Sequence, residues 1–524
     1  MPWATLEELL DKLFFVAASG DDPTFIKHFF LTYRKFATPR SVLLGMQKRI
    51  RQLSHEHSEL LLGCYAQMRI CDLLEEWIAT YPNDFATSGA HGAITALVKQ
   101  ISSNPSTLHY GSDILPFLAE LPRLQDLDAS WSMPSDDISR YSEDDDGDEE
   151  DSSIRYSNVP STLVTDSTIA VDFSIQDSVS SFSSFSKPPL NGTRDRKGSL
   201  PLSGKSILST QTLSLSSDSS RSYSRGITNL QRVTGNSPKD FVKLSSNLST
   251  FDPIQIAEQI TKMQSDLFLK IEPRQWLRYA MGDVKSDPEE PISASAAFYN
   301  QLAYWVSSLI VAHERVKLRE KQVERFVELA RALRTMNNYV GLRAVMTGIN
   351  NATFPNDEIM TMFRDSKLRL YQQYLGYGVL INSQNNHRSY RIALRHTNGP
   401  AVPDMEVHTF DIVRANDSNP NYKPDDSTKI HWGKFTLMGR MITMLQGLQE
   451  KIRSSAMYSY PERQAIRELL ESEVMDPDTI QSRVYAPPDD ADPIIFPLAQ
   501  GPDSPHATRS EGKPRKRFPP IFGY

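Results

Sequence analysis

Cysteine is almost missing from this chain: Cys64 and Cys71 are the only two in 524 residues. They lie in GCYAQMRICDLLEEWI, where Cys64, Met68, Cys71, Leu74 and Ile78 share one helical face. Buried thiols fit that spacing better than a disulfide or a metal site. Such sparing use suits a reducing compartment inside the cell. Long apolar runs are missing too, and none approaches the ~18 residues of a transmembrane helix. LFFVAASG near the start is brief, and Glu7, Glu8 and Asp11 precede it where a signal peptide carries positive charge. Nor is there excess positive charge. The formal net charge is −7 at pH 7, so bulk attraction to nucleic acid or to an anionic membrane is not indicated. The chain reads as soluble and cytoplasmic.

The usual signatures of covalent catalysis are also missing. There is no GxxxxGK[ST] phosphate loop, no HExxH, no GxSxG and no CxxC pair. Histidines are scattered, and no carboxylate pair sits in a context for general acid–base work. A binding or regulatory protein is favoured over an enzyme that makes bonds. No metal or cofactor is implied.

What is present is helix. Residues 1–125 carry apolar residues at steps of three and four. The spacing predicts helices from Leu6, over Pro23–Phe36, Thr38–Leu53 and Glu59–Ala79. Between 126 and 244 the composition changes. An acidic run, Glu143–Asp151, gives way to Ser-rich sequence with few large apolar clusters, which cannot offset chain entropy. This predicts a disordered linker. Serines beside basic residues, as at Arg194–Ser199, could accept phosphate, or the segment is a plain tether. From 245 to 473 the helical pattern returns. Phe298, Leu302, Trp305 and Leu309 mark one face, and Val323, Phe326, Val327, Ala330 and Leu333 another. The tail, 474–524, is Pro-rich. Its basic cluster Lys513–Arg517 is read as a solvated tail; nucleic-acid binding there would need aromatic interleaving that is missing. The predicted class is all-α: two helical domains joined by a long disordered linker.

One stretch of the second domain stands apart. Val407, Phe410 and Val413 lead one apolar segment, and Trp432, Phe435, Met438, Ile442 and Leu445 lead another. Between them DSNPNYKPDD is built of helix-stopping residues. This predicts two helices joined by a short loop, a protruding helical hairpin. Val413 and Asp417 are four apart and share a face. They form either an apolar and acidic wedge, or a core residue followed by a helix-ending Asp.

Several segments resemble Ras-family guanine-nucleotide exchange factors. FFLTYRKFATPRSVL (Phe29–Leu43) and WIATYPNDF (Trp77–Phe85) resemble the N-terminal Ras exchanger motif. The stretch FDPIQIAEQITKMQSDLFLKIEPRQWL (Phe251–Leu277) resembles the opening of the catalytic exchange domain. YNQLAYWV (Tyr299–Val306), the segment Arg319–Ile349, and then SYRIAL, PAVP and IHWGKF resemble its later parts in order.

The resemblance implies a mechanism. A helical hairpin inserts beside switch I of a Ras-like or Rap-like small GTPase and stabilises the nucleotide-free state. Val413 then falls at the position that disturbs the magnesium site, and Asp417 at the one that faces the α-phosphate. The resemblance also implies GTPase contacts at Asn337, Ala330, Glu258, Asp404 and Phe410. Asn337 matches the first Asn of the turn that meets switch II; for each of these residues, helix packing or capping is the competing reading. The N-terminal domain is expected to pack on the outer face of the hairpin and fix its angle. Membrane recruitment would come through the GTPase. The alternative is a GTPase-binding scaffold without exchange activity. One departure stands out: after Gly348-Ile349 the family's Arg-Leu pair and Trp are replaced by NNATFPNDEIMTMFRDSK, with Phe363 in the place of the Trp.

Overall fold

The computed structural model describes residues 2–55, 60–133, 237–282 and 290–485. Of the linker expected at 126–244, residues 134–236 lie outside the described residues, with the serines at 194–199; of the tail expected at 474–524, residues 486–524 do, with 513–517.

The first domain is built from α1 (Leu6–Ser19), α2 (Pro23–Thr32), α3 (Pro39–His55), α4 (Leu60–Thr80), α5 (Ala90–Ser102) and α6 (Leu108–Glu120). Local chemistry sets the starts. Thr5 and Glu8 form a capping box on α1, and Asp22 caps α2 with Pro23 at its first position. The apolar faces meet in one core around Leu9, Phe29, Tyr33, Trp77, Phe85 and Leu97. Cys71 belongs to this core, and both cysteines are free.

The second domain runs through α7 (Pro238–Leu248), α8 (Pro253–Leu269), α9 (Pro273–Met281), α10 (Pro291–Val311), α11 (Val316–Thr335) and α12 (Tyr339–Ala352). It continues with α13 (Glu358–Ser366), α14 (Leu368–Ile381), α15 (Gln384–Arg395) and α16 (Met405–Asp417). A two-stranded ribbon, β1 (Tyr422–Lys423) and β2 (Asp426–Ile430), leads into α17 (Trp432–Arg453), and α18 (Gln464–Leu470) and α19 (Pro477–Tyr485) close it. Trp305, Phe326, Leu333, Val345 and Ile349 lie in its main core. The departing segment after Ile349 fills that core: Asp357 caps α13, and Phe363 is fully buried against Tyr371.

Packing extends past the compositional boundaries. Asp128 and Trp131 are buried, and Trp131 joins the second domain's core. At the other end, Ile480 of α19 is buried in the main core. A few large anchors decide these cases, and average composition hides them.

The hairpin is α16, the ribbon and α17. The break is more ordered than the expected loop. Lys423 pairs with Asp426 across Pro424-Asp425, a two-residue turn whose proline presets the backbone. Ile430 also exchanges two backbone hydrogen bonds with Ala4, at 3.1 and 2.8 Å.

The second arm, α17, is shared between domains. Trp432 and Phe435 sit in the first domain's core, with ring centroids 4.9 Å from Phe25 and from Phe36 respectively. Gly439 lets α2 close in, since a Cβ there would lie 2.6 Å from the His28 ring. Phe435→Ala should therefore destabilise both domains together, by about 3–5 kcal/mol. A urea unfolding curve would show this as a lower midpoint.

Candidate functional site

The first arm, α16, is held from its base to its tip. At its base Asp404 and Glu406 engage Arg343, with ion-pair distances of 2.9 and 2.7 Å. The Asp404 backbone N–H donates to Tyr390 Oη at 2.9 Å. Tyr390 in turn donates to His408 Nε2 at 2.8 Å, because its one proton is free for that bond. Burial, with Arg391 and His387 nearby, pushes His408 down to about 3, which suits a neutral imidazole accepting that proton. One turn on, Arg391 grips Asp411 with two bonds of 2.6 and 2.9 Å. Arg391 also ties down a left-handed turn at Asn385, Asn386 and His387, whose φ values are 51°, 56° and 56°. Such a conformation costs ~1–2 kcal/mol per residue without help.

At its tip the arm meets Lys434. This side chain is buried, and its Nζ donates to Asn416 O, Asn419 O and Asn421 Oδ1 at 2.9, 2.8 and 2.6 Å. A cation there satisfies carbonyls that a helix end leaves open.

The open side of the arm carries Glu406, Phe410, Arg414 and Asp417. Phe410 is 59% exposed. Val413 is half-buried, with part of its surface on the core below. Asp417 is exposed at the last position of the helix.

The other sequence-predicted positions scatter. Ala330 is fully buried in the main core, so it offers a partner no surface; its small size serves packing. Asp404 is also buried. Burial pushes its carboxyl up, against the pull of Arg343, and it serves the base of the arm. Asn337 is partly buried at the turn between α11 and α12, with φ of 55°. Asparagine tolerates that conformation better than most residues. Its carbonyl accepts from Val402 N–H at 3.2 Å, and its Oδ1 accepts from Arg334 at 3.0 Å. Glu258 is partly exposed and pairs with Arg463 at 2.7 Å, in a separate cluster. Sequence reasoning missed Arg343, Tyr390, Arg391 and Lys434. A lysine beside Phe435 in an otherwise apolar first turn was the one available signal.

Two family models match this chain. Residues 255–436 match the RasGEF domain, and residues 2–101 match the RasGEF N-terminal motif. Together they cover more than half of the chain. The chain belongs to the RasGEF family. Its RasGEF domain match takes in the first arm, the ribbon and the start of the second arm. "Ras guanine nucleotide exchange factor K" of Dictyostelium discoideum is 26% identical over 479 residues, covering 85% of this chain and 29% of that protein. "Rap guanine nucleotide exchange factor 1" of Homo sapiens is 26% identical over 197 residues, covering 37% of this chain and 17% of that protein. "Guanine nucleotide-releasing factor 2" of Drosophila melanogaster is 28% identical over 169 residues, covering 32% and 10%. This chain thus spans under a third of the length of these relatives. Among the described residues no helix is long and apolar enough to cross a membrane, and no cluster of metal-ligating side chains occurs.

Proposed function

We propose that this RasGEF-family chain promotes GDP release from a Ras-like or Rap-like small GTPase, with the first arm of the hairpin as the inserting element. One observation carries the reading: a helix tied along its length by Arg343, Tyr390, Arg391 and Lys434 leaves Phe410 and Asp417 open to solvent. A rigid arm can spend its contacts on a partner without first losing freedom. Val413, as an apolar group, offers Mg²⁺ no oxygen ligand. Asp417, as a carboxylate, repels phosphate at short range, where screening is weak. Both effects disfavour the nucleotide-bound GTPase and leave the nucleotide-free complex as the better state. No covalent step is needed.

Phe410 is the anchor of this interface. An exposed aromatic side chain on a rigid helix is the kind of group that dominates interface energies. Phe410→Ala should leave folding stability within ~0.5 kcal/mol and cost about 2 kcal/mol in binding nucleotide-free GTPase, roughly a thirtyfold weaker complex. Titration calorimetry with the nucleotide-free GTPase would measure this; unchanged affinity would remove the first arm from the interface. The reading as a whole is tested by release of a fluorescent GDP analogue from purified Ras-like and Rap-like GTPases.

A further inference from the structure

Lys434 carries a role that the wedge residues do not explain. It is only 3% exposed, yet its three partners are neutral oxygens. Its three donors match three acceptors, so the ammonium is saturated. Two acceptors, Asn416 O and Asn419 O, flank Asp417 in the chain. The donor sits in the first turn of the second arm, whose neighbours Trp432 and Phe435 are fixed in the first domain's core. One buried cation thus joins the tip of the first arm to the anchored base of the second.

We propose that Lys434 is a positioning residue for nucleotide exchange: its ammonium ties the two arms together and so sets where Asp417 and Val413 stand against the GTPase. The role rests on the exchange reading above. It has a consequence in pH. Burial, and then the Lys35 ammonium from the first domain, push Lys434 down to about 8, with Asp417 on the first arm opposing them. His431, just before the second arm, is the other titratable neighbour. The tie is full at pH 7 and fades as the proton leaves above about pH 8.

The test is the exchange rate between pH 6.5 and 9, each point divided by the GTPase's own release rate. Wild type should lose activity with a single inflection near pH 8. Lys434→Met should be slower at pH 7, on the order of 10- to 100-fold, with no inflection. Lys434→Arg should show no inflection either, because a guanidinium stays charged. Asn421→Ala removes one bond to the charged form, so its inflection should move to lower pH. A merely structural lysine would not produce that shift. Wild-type rates from Lys434→Met, or an unmoved inflection in Asn421→Ala, would overturn the inference. If circular dichroism shows Lys434→Met to be unfolded, the Asn421→Ala profile decides. No exchange by wild type at any pH defeats the exchange reading itself, and exchange that ignores Lys434→Met defeats only this inference.

Discussion

Arg274→Met is expected to cost about 3–5 kcal/mol of stability, because it strips the centre from a buried charge cluster between the two domains. The Arg274 guanidinium, from α9, bonds both oxygens of Asp84, one of Asp128 and the Phe30 carbonyl. It also lies 3.7 Å over the Tyr81 ring. Asp84 collects Tyr33 Oη, Trp77 Nε1 and Arg34 as well, at 2.7, 2.8 and 3.0 Å. The motif FFLTYRKF and the motif WIATYPNDF thus meet the second domain at one carboxylate. Without Arg274, Asp84 keeps Arg34, and Asp128 keeps Arg278 at 3.3 Å, so the loss should fall toward the lower end. Thermal unfolding by calorimetry would show it as a lower midpoint or as two separated transitions; an unchanged midpoint would mean the cluster contributes nothing. The pH dependence has a fixed sign. Burial pushes the Asp84 carboxyl up, but Arg274 and Arg34 outweigh it and hold it below the ordinary value. Its contribution is therefore present above about pH 4 and is lost as pH falls through the folded value.

The second large effect concerns function. Val413→Ala together with Asp417→Ala should slow exchange on the order of 10- to 100-fold, the range that misplaced or missing contacts at a reacting centre produce. The same change should cost only about 1 kcal/mol in stability, since Val413 is half-buried and Asp417 is exposed. The two residues act on different parts of the nucleotide site, one on the metal and one on phosphate. They stand one turn apart on one helix face, so their effects should be coupled, and the single variants beside the double one measure that coupling. Asp417→Asn keeps the shape and removes the charge, so it isolates the electrostatic part.

Much of this layout was legible in the sequence, for identifiable reasons. Amphipathic helices such as Val316–Thr335 declare themselves because one face must be apolar to reach the core. The two arms were legible for the same reason, and the turn residues between them marked the break. The ribbon was hidden because its strands are only two and five residues long, too short for an alternating pattern to register. The packed segments around Trp131 and Ile480 were hidden by the polar sequence beside them. Ala330 and Asp404 show the limit of carrying positions over from a resemblance: alignment gives register along a helix, but exposure depends on partners such as Arg343, 61 residues away in sequence. The same holds for Arg274 and Asp84, which are 190 residues apart. Pairings of that range leave no periodic signal.

The most direct test of the hairpin as the exchange element is release of a fluorescent GDP analogue from a Ras-like and a Rap-like GTPase. Wild type would be run beside the Val413→Ala, Asp417→Ala double variant. Both proteins would also be titrated against nucleotide-free GTPase. Wild type should accelerate release from at least one GTPase, and the double variant should be much slower while it still folds and binds. Equal acceleration by the two proteins would contradict the wedge. Stable binding by wild type with no acceleration would contradict exchange altogether and leave a GTPase-binding scaffold.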